Sequence, residues 1–191
     1  MGNTLHRKHG EHYLVLNNEM IQRAKTTTHF NEQQIRNYHS TFFSVTKDGK
    51  LKKSSLNKLL DEYLPGDKKS RSKYLTDSIF NAIDQDENGY MDFFEYLYAL
   101  KYLQSDVPIE KAEFMYRVLD RDGDKSVTRN ELYKLLKCLE SYHRAAVGVD
   151  SKEYANQVLE KLDEDKSGTI TPSEFIDGYL KDETMRALFT L

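Results

Sequence analysis

The chain has 191 residues, with 28 basic and 31 acidic side chains and a net charge of −3. That balance leaves no basic footprint for nucleic acid. With a mean hydropathy of −0.74, no apolar run approaches the roughly 18 residues that a membrane span needs. Cys138 is the single cysteine, so no internal disulfide forms, and a reducing, cytoplasmic setting is expected.

In chain order, residues 1–18 read as a flexible tail, without the apolar segment and small-residue cleavage site of a secretory leader. His6, His9 and His12 recur every third residue. A solvated tail accounts for them better than zinc, because no cysteine or carboxylate cluster completes a site. Residues 44–55 then form a weak copy of a pattern that returns in strength three times. The strong copies are DQDENGYMDFFE from Asp84, DRDGDKSVTRNE from Asp120 and DEDKSGTITPSE from Asp163.

Each strong copy places oxygen-bearing side chains at positions 1, 3 and 5 and a glutamate at position 12. This is the ligand spacing of an EF-hand calcium loop. Calcium is a hard cation taking about 6–8 oxygens, with a backbone carbonyl at position 7 and a bidentate carboxylate closing the cage. The ligands expected are Asp84, Asp86, Asn88, Tyr90 and Glu95 in the second loop. In the third they are Asp120, Asp122, Asp124, Ser126 and Glu131, and in the fourth Asp163, Asp165, Ser167, Thr169 and Glu174. Tyr90, Ser126 and Thr169 contribute through their carbonyls. One such loop arises by chance as an acidic turn; three in register with matching flanks do not. Resting magnesium is compatible with the same oxygens, although the closing glutamate favours calcium.

The flanks carry the fold. Ile79 and Ile83, Met115 and Leu119, and Val158 and Leu162 precede the loops at helical spacing; Tyr96, Leu132 and Phe175 follow them. Met91, Val127 and Ile170 hold position 8, where neighbouring loops pair across a short antiparallel bridge. Aligning Leu51 to the same position makes Ser44 position 1 and Ser55 position 12 of the first copy. Serine cannot close a site as a carboxylate does, and Lys47, Lys50 and Lys52 oppose a cation. The expected fold is all-α: four EF-hands in two pairs, the first hand degenerate and metal-free, with short β-bridges between paired loops. Residues 19–104 would hold the first pair, and residues 105–191 the second pair with a closing helix over 182–191. One departure stands out. Lys125 occupies position 6 of the third loop, where glycine normally makes the sharp turn. A positive φ at this lysine and an altered affinity are expected, and Gly123 at position 4 does not replace the missing glycine. Cys138 reads as a core residue beside Leu135, Leu136 and Leu139.

The arrangement resembles the neuronal calcium sensor family, which includes recoverin, visinin and the guanylate cyclase-activating proteins. The resemblance rests on Met1-Gly2-Asn3, on Thr28-His29-Phe30 followed by Ile35, and on a disabled first loop before three intact ones. Thr46 and Lys47 stand where the family usually has Cys-Pro, and Tyr38-His39 where it has tryptophan and tyrosine, so this is a divergent member. The resemblance implies N-myristoylation of Gly2, and with it a peripheral position on the inner membrane face. His6 stands where that signal expects serine or threonine, so an unmodified tail is the alternative. The function implied is a calcium sensor. Sensor hands open on binding calcium and expose an apolar groove, here lined by residues such as Phe42, Leu56, Phe93, Tyr96 and Leu100. The groove would accept an amphipathic helix of a cyclase, kinase, phosphatase or channel. A calcium buffer that binds without opening is the alternative. No catalytic motif is present, and the absence of tryptophan argues against a calcium-regulated photoprotein, so no enzyme is expected.

Overall fold

The computed structural model describes residues 15–60, 73–143 and 150–189. Gly2 and the histidine-bearing tail lie outside these residues. Ten helices are described: α1 Asn18–Thr28, α2 Glu32–Val45, α3 Lys53–Leu60, α4 Lys73–Ile83, α5 Phe93–Gln104, α6 Pro108–Leu119, α7 Arg129–His143, α8 Ser151–Leu162, α9 Pro172–Lys181 and α10 Glu183–Leu188. Two short strands accompany them, β1 Val127–Thr128 and β2 Thr169–Ile170. The fold is all-α, built from two pairs of EF-hands.

Local chemistry sets most helix ends. The Asn17 side chain accepts the Met20 N–H at 2.9 Å and starts α1; His29 ends it in the left-handed region at φ 63°. Met20, Ile21, Ala24 and Thr28 are the buried stripe of α1. A capping box between Asn31 and Gln34 starts α2. Pro108 sits in the first turn of α6, where its missing N–H costs nothing. Asp150 caps α8 by accepting the Lys152 and Glu153 N–H groups.

Position 8 of each loop makes the expected bridges. Leu51 and Met91 exchange backbone hydrogen bonds of 2.9 and 2.8 Å. Val127 pairs with Ile170 in the antiparallel β1–β2 ladder. The Leu51–Met91 bridge fixes the register of the degenerate first loop, whose Gly49 holds φ 71° at position 6.

The chain divides into two compact units. Among the described residues, 15–59 together with 83–101 make the first, which contains α1, α2, nearly all of α3, the first two loops and most of α5. Its core is aromatic: Phe42 stacks on Tyr96 at 5.3 Å, lies 5.8 Å from Phe93, and is fully buried with Ile35, Leu51, Leu97 and Leu100. The Arg23 guanidinium of α1 lies 3.9 Å above the Phe94 ring.

Residue 60, residues 73–82 and the described residues from 102 onward make the second unit, with nearly all of α4 and with α6–α10. Phe175 is its centre, ringed by Tyr116, Tyr179 and Phe189 at 5.8, 6.1 and 5.4 Å. The buried Tyr116 hydroxyl donates to the Ile170 carbonyl at 3.1 Å, which ties α6 to β2. The closing helix is shorter than the expected 182–191: α10 runs Glu183–Leu188, capped by Asp182, and Phe189 is buried just after it. Asp182 also takes a hydrogen bond from Lys161 of α8. Cys138 departs from expectation. It is only half-buried while Leu135, Leu136 and Leu139 fill the core, because its turn of α7 places it at the edge of the apolar stripe.

Candidate calcium centres

Each strong loop is a nest of backbone N–H groups around carboxylates. The position 1 aspartate takes two of them. Asp84 accepts the Asn88 and Gly89 N–H groups at 3.1 and 3.0 Å. Asp120 accepts those of Gly123 and Lys125, both at 3.0 Å. Asp163 accepts those of Ser167 and Gly168 at 2.9 and 2.8 Å. Position 3 follows the same logic, with Asp86 and Asp165 accepting from Asn88 and Ser167. At position 5, Asn88 accepts the Tyr90 N–H at 3.0 Å and Asp124 that of Ser126 at 2.8 Å.

The position 12 glutamate is held at both oxygens, and in the same way three times. Glu95 Oε1 accepts the Gln85 N–H at 3.2 Å and Oε2 that of Asp92 at 2.8 Å. Glu131 takes the Arg121 and Thr128 N–H groups at 3.0 and 2.9 Å. Glu174 takes those of Glu164 and Thr171 at 2.9 and 2.8 Å. The second bond of each set is half of a helix capping box, because Asp92, Thr128 and Thr171 in turn accept the glutamate N–H. These three position 9 residues belong to the site yet are absent from the ligand set expected above. The signal for them is the D/T-x-x-E spacing before each outgoing helix. The first loop has Lys52 and Ser55 there and cannot form the clasp.

Carboxylate oxygens converge in every strong loop, each set lying within 4.8 Å of one another: Asp84, Asp86 and Glu95; Asp120, Asp122 and Asp124; Asp163, Asp165 and Glu174. In the third loop the converging set is thus positions 1, 3 and 5, with Glu131 turned to its N–H donors. The loops differ in charge strain. Burial, with Asp92 and Asp86 close by, pushes Glu95 up to about 7. Burial likewise raises Asp84 and Asp120, against the pull of their N–H donors. In the fourth loop desolvation also pushes Asp163 and Glu174 up. There it is outweighed by N–H bonds from Gly168 and Ser167 and by the Thr171 clasp, so both end below their usual range. An all-oxygen donor set with carboxylates brought together in each strong loop fits a hard divalent cation.

The backbone of the third loop resolves the oddity of Lys125. Positions 4 and 6 both adopt positive φ in all three loops: Glu87 at 54° and Gly89 at 82°, Gly123 at 74° and Lys125 at 66°, Lys166 at 59° and Gly168 at 87°. Each loop holds one glycine and one side-chain-bearing residue at these positions. The third exchanges the two. Lys125 settles inside the left-handed well that L-residues can reach, and its N–H still meets Asp120.

Geometry and repetition define the class, a paired EF-hand calcium-binding protein. The EF-hand domain pair description matches residues 47–103 and, by a second model, residues 109–180. The chain is 27% identical to neuronal calcium sensor 1 of Lymnaea stagnalis over 188 residues, 95% of this chain and 96% of that protein. It is 25% identical to guanylyl cyclase-activating protein 1 of Lithobates pipiens over 167 residues, 87% of this chain and 80% of the relative. It is 30% identical to the guanylyl cyclase inhibitory protein of the same frog over 124 residues, 61% of this chain and only 59% of that protein's length. The chain thus carries two EF-hand domain pairs and is similar to neuronal calcium sensors over nearly its whole length. No helix among the described residues is long and apolar enough to cross a membrane.

Proposed function

We propose that this protein binds calcium at its second, third and fourth loops and signals by exposing an apolar surface to a helix of a target protein. The observation that carries the reading is the glutamate clasp repeated at Glu95, Glu131 and Glu174. Each closing carboxylate is preset at the start of its outgoing helix, held by backbone N–H groups and, at Glu131 and Glu174, also by the Thr128 and Thr171 hydroxyls. When the carboxylate turns both oxygens inward, the start of α5, α7 or α9 must follow it. Bound calcium would supply the charge that the converging carboxylates lack, and the side chains of positions 1, 3, 5 and 12 would hold it. Phe42, Leu56, Phe93, Tyr96 and Leu100 are buried in the present structure, as suits a closed hand whose core becomes groove on opening.

The relatives named for activating or inhibiting guanylyl cyclase support a cyclase as the partner class; kinases, phosphatases and channels offer similar helices. Membrane attachment through Gly2 would be single-chain and reversible. Magnesium would share the sites at rest. The test combines calorimetry with the fluorescence of a hydrophobic dye, against free calcium at fixed physiological magnesium. Three sites and a calcium-dependent rise are expected. Binding with a flat dye trace would show a buffer instead.

A further inference from the structure

One face of α4 grips a single residue of the third loop. Tyr74, Asp77 and Asn81 lie three and four residues apart, so they share a side of that helix. All three meet Arg121. Its guanidinium carbon is 4.9 Å from the centre of the Tyr74 ring, its Nη2 is 3.7 Å from Asp77 Oδ2, and its carbonyl accepts from Asn81 Nδ2 at 3.5 Å. Lys134 of α7 approaches the same Tyr74 ring at 5.9 Å. Arg121 occupies position 2 of the third loop, and its N–H is the donor to Glu131 Oε1. The corresponding residues of the other strong loops, Gln85 and Glu164, are exposed, whereas Arg121 is half-buried.

We propose that Arg121 is a positioning residue that couples the third loop to the second through α4. The inference rests on the calcium reading above. When Glu131 turns Oε1 inward, the Arg121 N–H loses its acceptor and position 2 must adjust. Three contacts pass that adjustment to α4. The helix ends at Ile83, and the second loop opens at the next residue, Asp84. The second loop would therefore bind calcium more tightly when the third is filled. Its own charge strain, with Asp84, Asp86 and Glu95 crowded together, leaves that affinity sensitive to small changes in geometry.

The experiment is a double-mutant cycle on the full chain, in a Glu174→Gln background that silences the fourth loop. Calorimetry gives the calcium affinity of the second loop with the third intact and with it silenced by Glu131→Gln, each with Arg121 or Arg121→Gln. The glutamine keeps the backbone N–H and the carbonyl that accepts from Asn81, and removes the guanidinium contacts with Tyr74 and Asp77. Silencing the third loop is expected to weaken the second about fivefold or more, within the usual range of coupling energies. In the Arg121→Gln chain the same change should have a clearly smaller effect, the bond from Asn81 to the carbonyl being the one contact left. Asp77→Asn attacks the contact from the α4 side and should reduce the coupling too, so the result does not hang on one variant. An equal loss with and without the arginine, or no loss in either, overturns the inference while leaving calcium binding intact. No calcium binding in the parent chain overturns the calcium reading itself.

Discussion

Replacing Gly123 by alanine is expected to damage the third loop about as much as replacing Lys125 by glycine improves it. A side chain held in the left-handed region costs about 1–2 kcal/mol. The third loop carries one such residue, Lys125 at φ 66°, and Gly123→Ala adds a second at φ 74°. Nothing lies within 4 Å of a Cβ built on Gly123, so backbone conformation is the whole penalty. That is a factor of about 5–30 in the equilibrium that sets the loop's shape. Lys125→Gly removes a similar strain but loosens the unfolded chain, which takes back about 0.4–1 kcal/mol. Its net effect should stay below about 1 kcal/mol. The assay pairs calcium calorimetry with denaturant unfolding of the calcium-free protein. Strain falls on folding if the empty loop keeps this shape, and on calcium affinity if it relaxes. For Gly123→Ala the stiffer unfolded chain gives back about the same 0.4–1 kcal/mol, so the two losses together should come to about 1 kcal/mol. A neutral Gly123→Ala, beside a Lys125→Gly that tightens the third site tenfold, would refute the reasoning.

Other outcomes follow from the same geometry. With Glu95 raised to about 7, calcium binding at pH 7 should release roughly half a proton from the second loop; calorimetry in buffers of different ionisation enthalpy should show it, and Glu95→Gln should abolish it. Asp182, hydrogen-bonded by Lys161 and by the Thr184 and Met185 N–H groups, is held down to about 2. Its folded pKa lies below the ordinary 3.8, so its contribution is present above that value and fades as pH falls towards 2. Melting curves of the calcium-free protein between about pH 5 and 2 should flatten in Asp182→Asn. A Cβ at Gly178 would lie 2.1 Å from Leu162 Cδ2 in the packed core. Gly178→Ala should cost about 1–3 kcal/mol in denaturant unfolding, because Leu162 is buried and cannot swing into solvent.

The loops, their order and the bridges were legible because calcium ligation and strand pairing impose fixed spacing on local residues. Leu51, aligned to position 8 on apolar character alone, pairs with Met91. What escaped has physical reasons. Helix α1 buries only Met20, Ile21, Ala24 and Thr28, too thin a stripe to stand out among polar neighbours. Thr128 and Thr171 look like ordinary loop residues until their bonds to Glu131 and Glu174 are seen. The exchange between Gly123 and Lys125 was hidden because position 4 carries a positive φ in every strong loop, a demand that glutamate and lysine meet in silence at Glu87 and Lys166. The Arg121 contacts span about forty residues of chain, and no local pattern announces them.

The clasp also bears on timing. Because Glu95, Glu131 and Glu174 already stand at the loop mouths with both oxygens directed by N–H groups, capturing an ion is an exchange of partners, not the ordering of a slack segment. Arrival need not wait for a folding event and can run near the diffusion limit. On the proposed calcium reading, the lifetime of the signal would then be set by departure, that is, by how readily each glutamate returns to its amides when calcium falls.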